Sequence, residues 1–315
     1  TKTIVVVASH ERALAWEAKL RLTGVREQSV FRLPSGVSSL FEDASPETAA
    51  LSDPIGALRA LIAPPPCIVI ATAAAALERT LPPDVLIDAF IDFRVGSSLD
   101  TDQLIRQLTN LGYEKAEPVR VPGQFSRRGG ILDIYASGED LPVRVEMFGD
   151  EVESIRRFDP ATQRSIDPID AVSFAPSRET LFTGAEDDTC ALIRQTLDHE
   201  AAMLPDEASQ RLEELVGSDI DALKARVFFD RLDLYRPLLH PDSGCALDLL
   251  EDGSLVVLEE PLELESVSAR SEEELGQALQ ARISRGEILD CKVNDYLLPP
   301  EHFASRREVL ALSAM

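Results

Sequence analysis

Two uninterrupted apolar runs constrain the fold of this chain more than anything else in it. "TIVVVAS" (Thr3–Ser9) and "CIVIAT" (Cys67–Thr72) are short, rich in β-branched residues and free of polar alternation. A strand with one wet face alternates apolar and polar residues, because successive side chains point to opposite faces. Runs without alternation suit strands buried on both faces, as in parallel sheets. Each run is followed by a helical pattern. Ser9 opens "HERALAWEAKLRLTG", which stops at Gly24 and sets Leu14, Ala18 and Leu22 along one side. The second run is entered from Pro64-Pro65-Pro66 and continues into "AAAALERT". Strand and helix in alternation, with helix-length spacers, predict a parallel α/β domain.

The texture changes near Phe93. "SSLDTDQLIRQLTNLGY" predicts an amphipathic helix capped at Ser98 or Asp100, with Leu104, Ile105 and Leu108 at helical spacing. Three strand patterns follow, "GGILDIY", "LPVRVEMF" and "EVESIRRF", joined by "ASGED" and by the Gly149-Asp150 hairpin signal. A small α+β domain built on a β-meander is expected over residues 96–178. Beyond Pro176 come the helical patterns "DDTCALIRQTLDHEAAML", "EASQRLEELVG" and "IDALKARVFF". An apolar strand "SLVVLEE" (Ser254–Glu260) and the helical "SEEELGQALQARISRG" follow. The strand–helix alternation thus returns, and residues 1–95 and 179–315 are expected to form one α/β domain interrupted by the middle one. A length of 315 residues, about twice the usual ~150 per domain, accommodates two cores.

Charge and cysteine usage narrow the function. Lys+Arg 31 against Asp+Glu 55 gives a net charge of -24, whereas a protein that neutralises phosphates needs a basic stripe. No direct contact with nucleic acid is expected; a basic protein surface suits the chain better. Cys67, Cys190, Cys245 and Cys291 lie far apart with no C-x-x-C, so neither a zinc site nor a disulfide framework is predicted. The opening "TKTIVVVASH" is too short for a signal peptide, and no apolar run approaches the ~20 residues of a membrane span. A cytoplasmic protein without a membrane partner is expected. The chain does not begin with methionine, as expected of a piece of a longer one.

Catalytic signatures are missing from the sequence. No G-x-x-x-x-G-K-[ST] occurs, and no G-x-G-x-x-G follows a strand. "LVVLEEP" is similar to a helicase acidic box, but carboxylates without a phosphate cradle leave a metal nothing to bridge. Glu259 and Glu260 are therefore expected as solvated residues at a strand end. His10, His199, His240 and His302 are scattered, without a partner at i+4 or a nearby Cys. No G-x-S-x-G elbow is found and no acid/base pair can be assigned. Neither a catalytic group nor a cofactor or metal site is predicted.

One segment departs from the acidic character. From Arg120 to Arg164 there are seven arginines (120, 127, 128, 144, 156, 157, 164) and eight acids (133, 139, 140, 146, 150, 151, 153, 159), a net of -1 that leaves -23 for the remainder. With "PVRVEMF" as a strand, period two turns Val143, Val145 and Met147 inward and Arg144, Glu146 and Phe148 outward. An outward Phe beside an outward Arg is a docking pattern, since Arg and aromatic residues dominate interface hot spots. The pattern equally fits a purely structural role, with Arg144 paired across the hairpin to Glu151 or Glu153 and Phe148 covering the turn.

A family resemblance bears on that choice. "FSRRGGILDIYASGEDLPVRVEMFGDEVESIRRFDPATQRS" closely resembles the second domain of the UvrB homology module of transcription-repair coupling factors (Mfd), and more distantly that of UvrB. "FRVGSSLDTDQLIRQLTNLGY" is similar to the helix that precedes it in both families. "IVVVASHERAL" and "YRPLLHPDSGCALDLLEDGSLVVLEEPLEL" resemble the flanking parts of the first domain. The resemblance implies a degenerate P-loop-helicase-like α/β domain split by a second domain that recruits UvrA. It also implies that RNA polymerase and DNA are engaged only by other domains of a longer protein. UvrB differs in having a working phosphate loop and an aromatic DNA-gripping hairpin; between "TLPPDVL" and "FRVG" no such hairpin fits. The chain starts after the place where a phosphate loop would lie, which leaves loss and truncation both open. An ATP-dependent UvrB-type helicase subunit is the alternative reading. Carried over by motif, the UvrA-contacting residues are Arg128, which opens the R-G-G-I segment, Arg144 of the P-x-R strand, and Phe148. Periodicity also turns Arg144 and Phe148 outward but does not place Arg128, because Gly129-Gly130 interrupts the register.

Overall fold

The computed structural model describes residues 1–25, 29–36, 54–64, 66–137, 139–305 and 308–313. In chain order its strands are β1 (Lys2–Val7), β2 (Val30–Leu33), β3 (Cys67–Thr72), β4 (Ile91–Arg94) and β5 (Glu114–Lys115). They continue with β6 (Gln124–Arg128), β7 (Ile131–Tyr135), β8 (Val143–Phe148) and β9 (Glu151–Phe158). The last are β10 (Ser165–Pro168), β11 (Ala171–Phe174), β12 (Leu255–Glu259) and β13 (Val309–Leu312). Two compact units result: Thr1–Pro83 together with Phe182–Met315, and Asp84–Leu181.

The split unit is an α/β unit on a five-stranded sheet of order β13-β12-β1-β3-β2, with every neighbouring pair parallel. β1 and β3 run through its interior, and Ile4, Val6, Val7, Val69 and Ile70 are fully buried. Burial on both faces is the reason these two runs lack polar alternation. Ser9 caps the helix His10–Leu22, its Oγ accepting the Arg12 N–H at 3.3 Å. This helix presents a different side to the sheet from the one expected. Ala13, Trp16 and Leu20 pack with Val5, Val7, Ile70 and Val257, while Leu14, Ala18 and Leu22 are exposed. Ala13, Trp16 and Leu20 also recur at helical spacing, and the indole brings more apolar area than either leucine.

In the returning half, "EASQRLEELVG" and the first six residues of "IDALKARVFF" belong to one helix, Asp206–Ala225, which passes through Gly217 at a cost of about 1 kcal/mol relative to alanine. Its Leu212, Val216, Ile220 and Leu223 pack with Ile193 and Leu197 of the helix Glu186–Ala201. Among the described residues, no helix is long and apolar enough to cross a membrane.

The middle unit holds a six-stranded sheet, β10-β9-β8-β7-β6-β5, and a two-stranded ribbon of β4 with β11. The expected meander is β7 to β9, extended on both sides by strands that the sequence reading did not resolve. β6, "QFSRR", shows a single apolar side chain among polar and charged ones, too little for a strand pattern. The glycines that obscured the register form its hairpin loop, because Arg128 faces Ile131 directly across Gly129-Gly130. Gly129 takes φ +62, as a two-residue loop with glycine first requires. Gly130 is needed for closeness: its carbonyl accepts the Met147 N–H at 2.7 Å, and a Cβ there would lie 2.8 Å from Met147 O. The helix Thr101–Asn110 is capped by Asp100, whose Oδ1 accepts the N–H groups of Asp102 and Gln103 at 2.9 Å, and it buries Leu104 and Leu108.

Candidate functional site

Residues directly opposite one another in a sheet share a face. On one face of the middle-unit sheet Leu132, Ile134, Val143, Val145, Val152 and Ile155 are buried. The other face carries a rung that crosses four strands: Ser126 on β6, Asp133 on β7, Arg144 on β8 and Arg156 on β9. The next rung holds Arg128, Ile131, Glu146 and Ser154, and beyond it Phe148 lies opposite Glu151. Arg128, Arg144 and Phe148, the three residues expected to dock a partner, therefore share one face.

Asp133 organises this face. Its side chain is 2% exposed and sits opposite an arginine. Arg144 Nε donates to Oδ1 at 2.7 Å and Nη2 to Oδ2 at 2.8 Å, a bidentate pair that fixes the guanidinium plane. Arg128 Nη2 donates to the same Oδ2 at 2.9 Å. A buried carboxylate is costly unless paired, and two guanidiniums supply the pairing. The hydrogen bonds to Asp133 push the Arg144 guanidinium above its usual pKa, outweighing its burial, so it stays charged.

The remaining surroundings of Arg144 are equally fixed. Nη1 donates to the Gln163 carbonyl at 3.3 Å, and the guanidinium carbon lies 4.8 Å from the centroid of the Phe158 ring, a cation–π distance. Phe158 is buried with Val119 and Tyr135. The loop that brings Gln163 into reach is shaped locally: Asp159 Oδ1 accepts the N–H groups of Ala161 at 2.7 Å and Thr162 at 3.0 Å. Arg144 thus pairs with Asp133 on β7 rather than with Glu151 or Glu153 across the β8–β9 hairpin. Only 15% of its side chain is exposed, against 46% for Arg128. Arg144 is a mostly buried support, and Arg128, on β6, is the more exposed of the two.

Phe148 is 77% exposed on a backbone that is held from both sides. It pairs with Glu151 across the Gly149-Asp150 turn, and the strand beyond is tied to residues 96–99. Gly96 N–H donates to Val152 O at 2.8 Å, Val152 N–H to Ser97 O at 3.0 Å and Leu99 N–H to Asp150 O at 2.6 Å. Glu146 pairs with Ser154 but Met147 with Val152, so Glu153 is an extra residue that bulges β9. Such a bulge sharpens the local twist and re-aims nearby side chains. A large aromatic ring held this open on a fixed strand covers little of its own turn.

The segment with this geometry matches a family model described as the UvrB interaction domain, over residues 91–179. Over most of its length the chain is also similar to transcription-repair-coupling factors. That of Myxococcus xanthus is 30% identical over 285 residues, 89% of this chain and 23% of the relative. That of Bacillus subtilis is 29% identical over 299 residues, 92% of this chain and 25% of the relative. UvrABC system protein B of a Synechococcus strain is 30% identical over 189 residues, 56% of this chain and 27% of the relative. The chain spans about a quarter of the length of these relatives. The family resemblance read from the sequence is thereby borne out.

Outside residues 91–179 the structure gathers two further groups. Glu259 ends β12 and is mostly buried rather than solvated as expected, its Oε2 lying 3.3 Å from Arg12 Nη1; Arg12 Nη2 also meets Glu263 Oε2 at 2.8 Å. Cys245, Asp248 and His302 lie together although the sequence spacing gave no sign of it. Asp248 Oδ2 accepts the Cys245 N–H at 2.8 Å, and its Oδ1 lies 3.0 Å from His302 Nε2. Burial and the neighbouring Asp248 push the Cys245 thiol up to about 12. Cys245 and Asp248 form a capping box on the short helix Ala246–Leu249, and His302 adds a side-chain contact to it.

Proposed function

We propose that the chain is a non-catalytic adaptor of nucleotide excision repair that recruits UvrA through the open face of its middle domain. The division 1–95, 96–178 and 179–315 is its functional layout, with docking assigned to the second part and a degenerate helicase-like domain formed by the others. The observation that carries this reading is the exposed Phe148 ring beside the Asp133-anchored arginines, within the segment that matches the UvrB interaction domain family. Arg128 and Phe148 make the contact, and Arg144 contributes from beneath. The similarity to transcription-repair-coupling factors supports placement at the junction of transcription and repair, with RNA polymerase and DNA engaged elsewhere in a longer protein. The net charge of -24 supports a protein partner over nucleic acid, and a cytoplasmic location follows from that role.

A purified-component pull-down of UvrA by this chain tests the reading. Capture is expected from the unaltered chain and loss from the Phe148→Ala variant; equal capture by both would sink it. The similarity to UvrABC system protein B supports a second reading, an ATP-dependent helicase subunit. Magnesium-dependent ATP hydrolysis that follows the chain through purification would favour that reading over the adaptor.

A further inference from the structure

We infer that Arg156 is a further contact residue on this face, and that the partner segment it meets is acidic. The inference rests on the docking reading above and specifies its chemistry. Arg156 is exposed and lies directly opposite Arg144 on the neighbouring strand. Like charges facing each other across a ladder repel. The carboxylate that could offset them, Asp133, is already engaged by Arg144 and Arg128. Three arginines against Asp133 and Glu146 leave this corner at +1 in a chain of net charge -24. The nearest acid on the adjoining rung, Glu146, accepts a hydrogen bond from Ser154 Oγ at 2.6 Å. Arg157, the next residue, alternates to the other side and pairs with Asp167 at 3.5 Å.

The face is therefore polarised along the strands. A cationic end formed by Arg128 and Arg156 stands over the buried Asp133–Arg144 pair, and an apolar end is formed by Phe148. Phe148 lies four positions beyond Arg144 on β8, about 13 Å at ~3.3 Å per residue. The segment that fits presents a carboxylate to the arginines and an apolar pocket to the ring at that separation. Charge complementarity sets the register in which it docks.

The test measures UvrA affinity and melting temperature of the full chain for Arg156→Ala, Arg156→Glu and Phe148→Ala. Arg156→Ala is expected to weaken binding about tenfold and Arg156→Glu about a hundredfold or more, with melting temperatures unchanged. Arg156→Ala should also flatten the decline of affinity with added salt, because a rim charge acts through screened attraction. If Phe148→Ala weakens binding while both Arg156 variants bind normally, the inference fails and the docking reading stands. If neither position matters, the docking reading itself fails. A drop in melting temperature that accounts for the lost affinity would assign Arg156 a structural role and overturn the inference.

Discussion

Phe148→Ala separates a docking surface from a structural hairpin most cleanly. An aromatic side chain covers ~150–250 Å² when buried. With 77% of Phe148 exposed, about 150 Å² remains for a partner to cover. At ~25 cal/mol per Å², complete coverage corresponds to ~4 kcal/mol, and half coverage to about 2 kcal/mol, a roughly thirtyfold loss of affinity on truncation. The free protein should scarcely notice, since an exposed side chain without packing partners changes stability by no more than ~0.5 kcal/mol. The assay is a calorimetric titration with UvrA, paired with thermal melting of the same preparation. Unchanged affinity in a folded variant would refute the reasoning. So would a fall of several degrees in melting temperature, which would mean that the ring packs within the fold after all.

The other substitutions probe what lies beneath the face and elsewhere. Asp133→Asn removes the charge shared by Arg128 and Arg144 and should cost about 3 kcal/mol, the low end for breaking a buried pair, visible as a melting temperature lowered by more than 10 °C. A melting temperature within about 2 °C of the parent would show that the pair is not a structural support. In the split unit, burial would raise the Glu186 carboxyl, but the Gly184 N–H at 2.8 Å and the Arg226 guanidinium at 2.9 Å outweigh it and hold the pKa below the usual value. A lowered folded-state pKa gives stability that is present above the unfolded-state value, about 4.3, and is lost as pH falls through the folded one. The Glu186→Gln deficit in melting temperature should therefore be largest at neutral pH and shrink in acid; a deficit independent of pH would contradict this. Incubation with ATP and magnesium should yield no phosphate above a protein-free control, and turnover that co-purifies with the chain would contradict the adaptor reading.

How far the sequence revealed these features depended on whether a signal was local. The interior strands β1 and β3 were legible because burial on both faces removes polar residues from a continuous run. Strict period two turned Arg144 and Phe148 to one side of β8 correctly. The identity of the Arg144 partner was not legible, because it depends on the register between β7 and β8, and alternation along one strand says nothing about its neighbour. β6 was missed for a related reason: its outward arginines answer to Asp133 and to the surface rather than to an apolar pattern. The helix His10–Leu22 contains two sets of apolar residues at helical spacing, and only the sheet beneath decides for Ala13, Trp16 and Leu20. The Cys245–Asp248–His302 group joins two residues three apart to a histidine 54 residues beyond Asp248, and no spacing rule reaches across that separation.

Hydrogen–deuterium exchange of the full chain with and without UvrA tests the central claim most directly, because it locates the contact without altering any residue. The account predicts slowed exchange in β6 to β9, strongest around Arg128, Arg144 to Phe148 and Arg156, with the parallel sheet of the split unit unchanged. Protection confined to residues 1–83 or 182–315, with β6 to β9 exchanging as in the free protein, would contradict it.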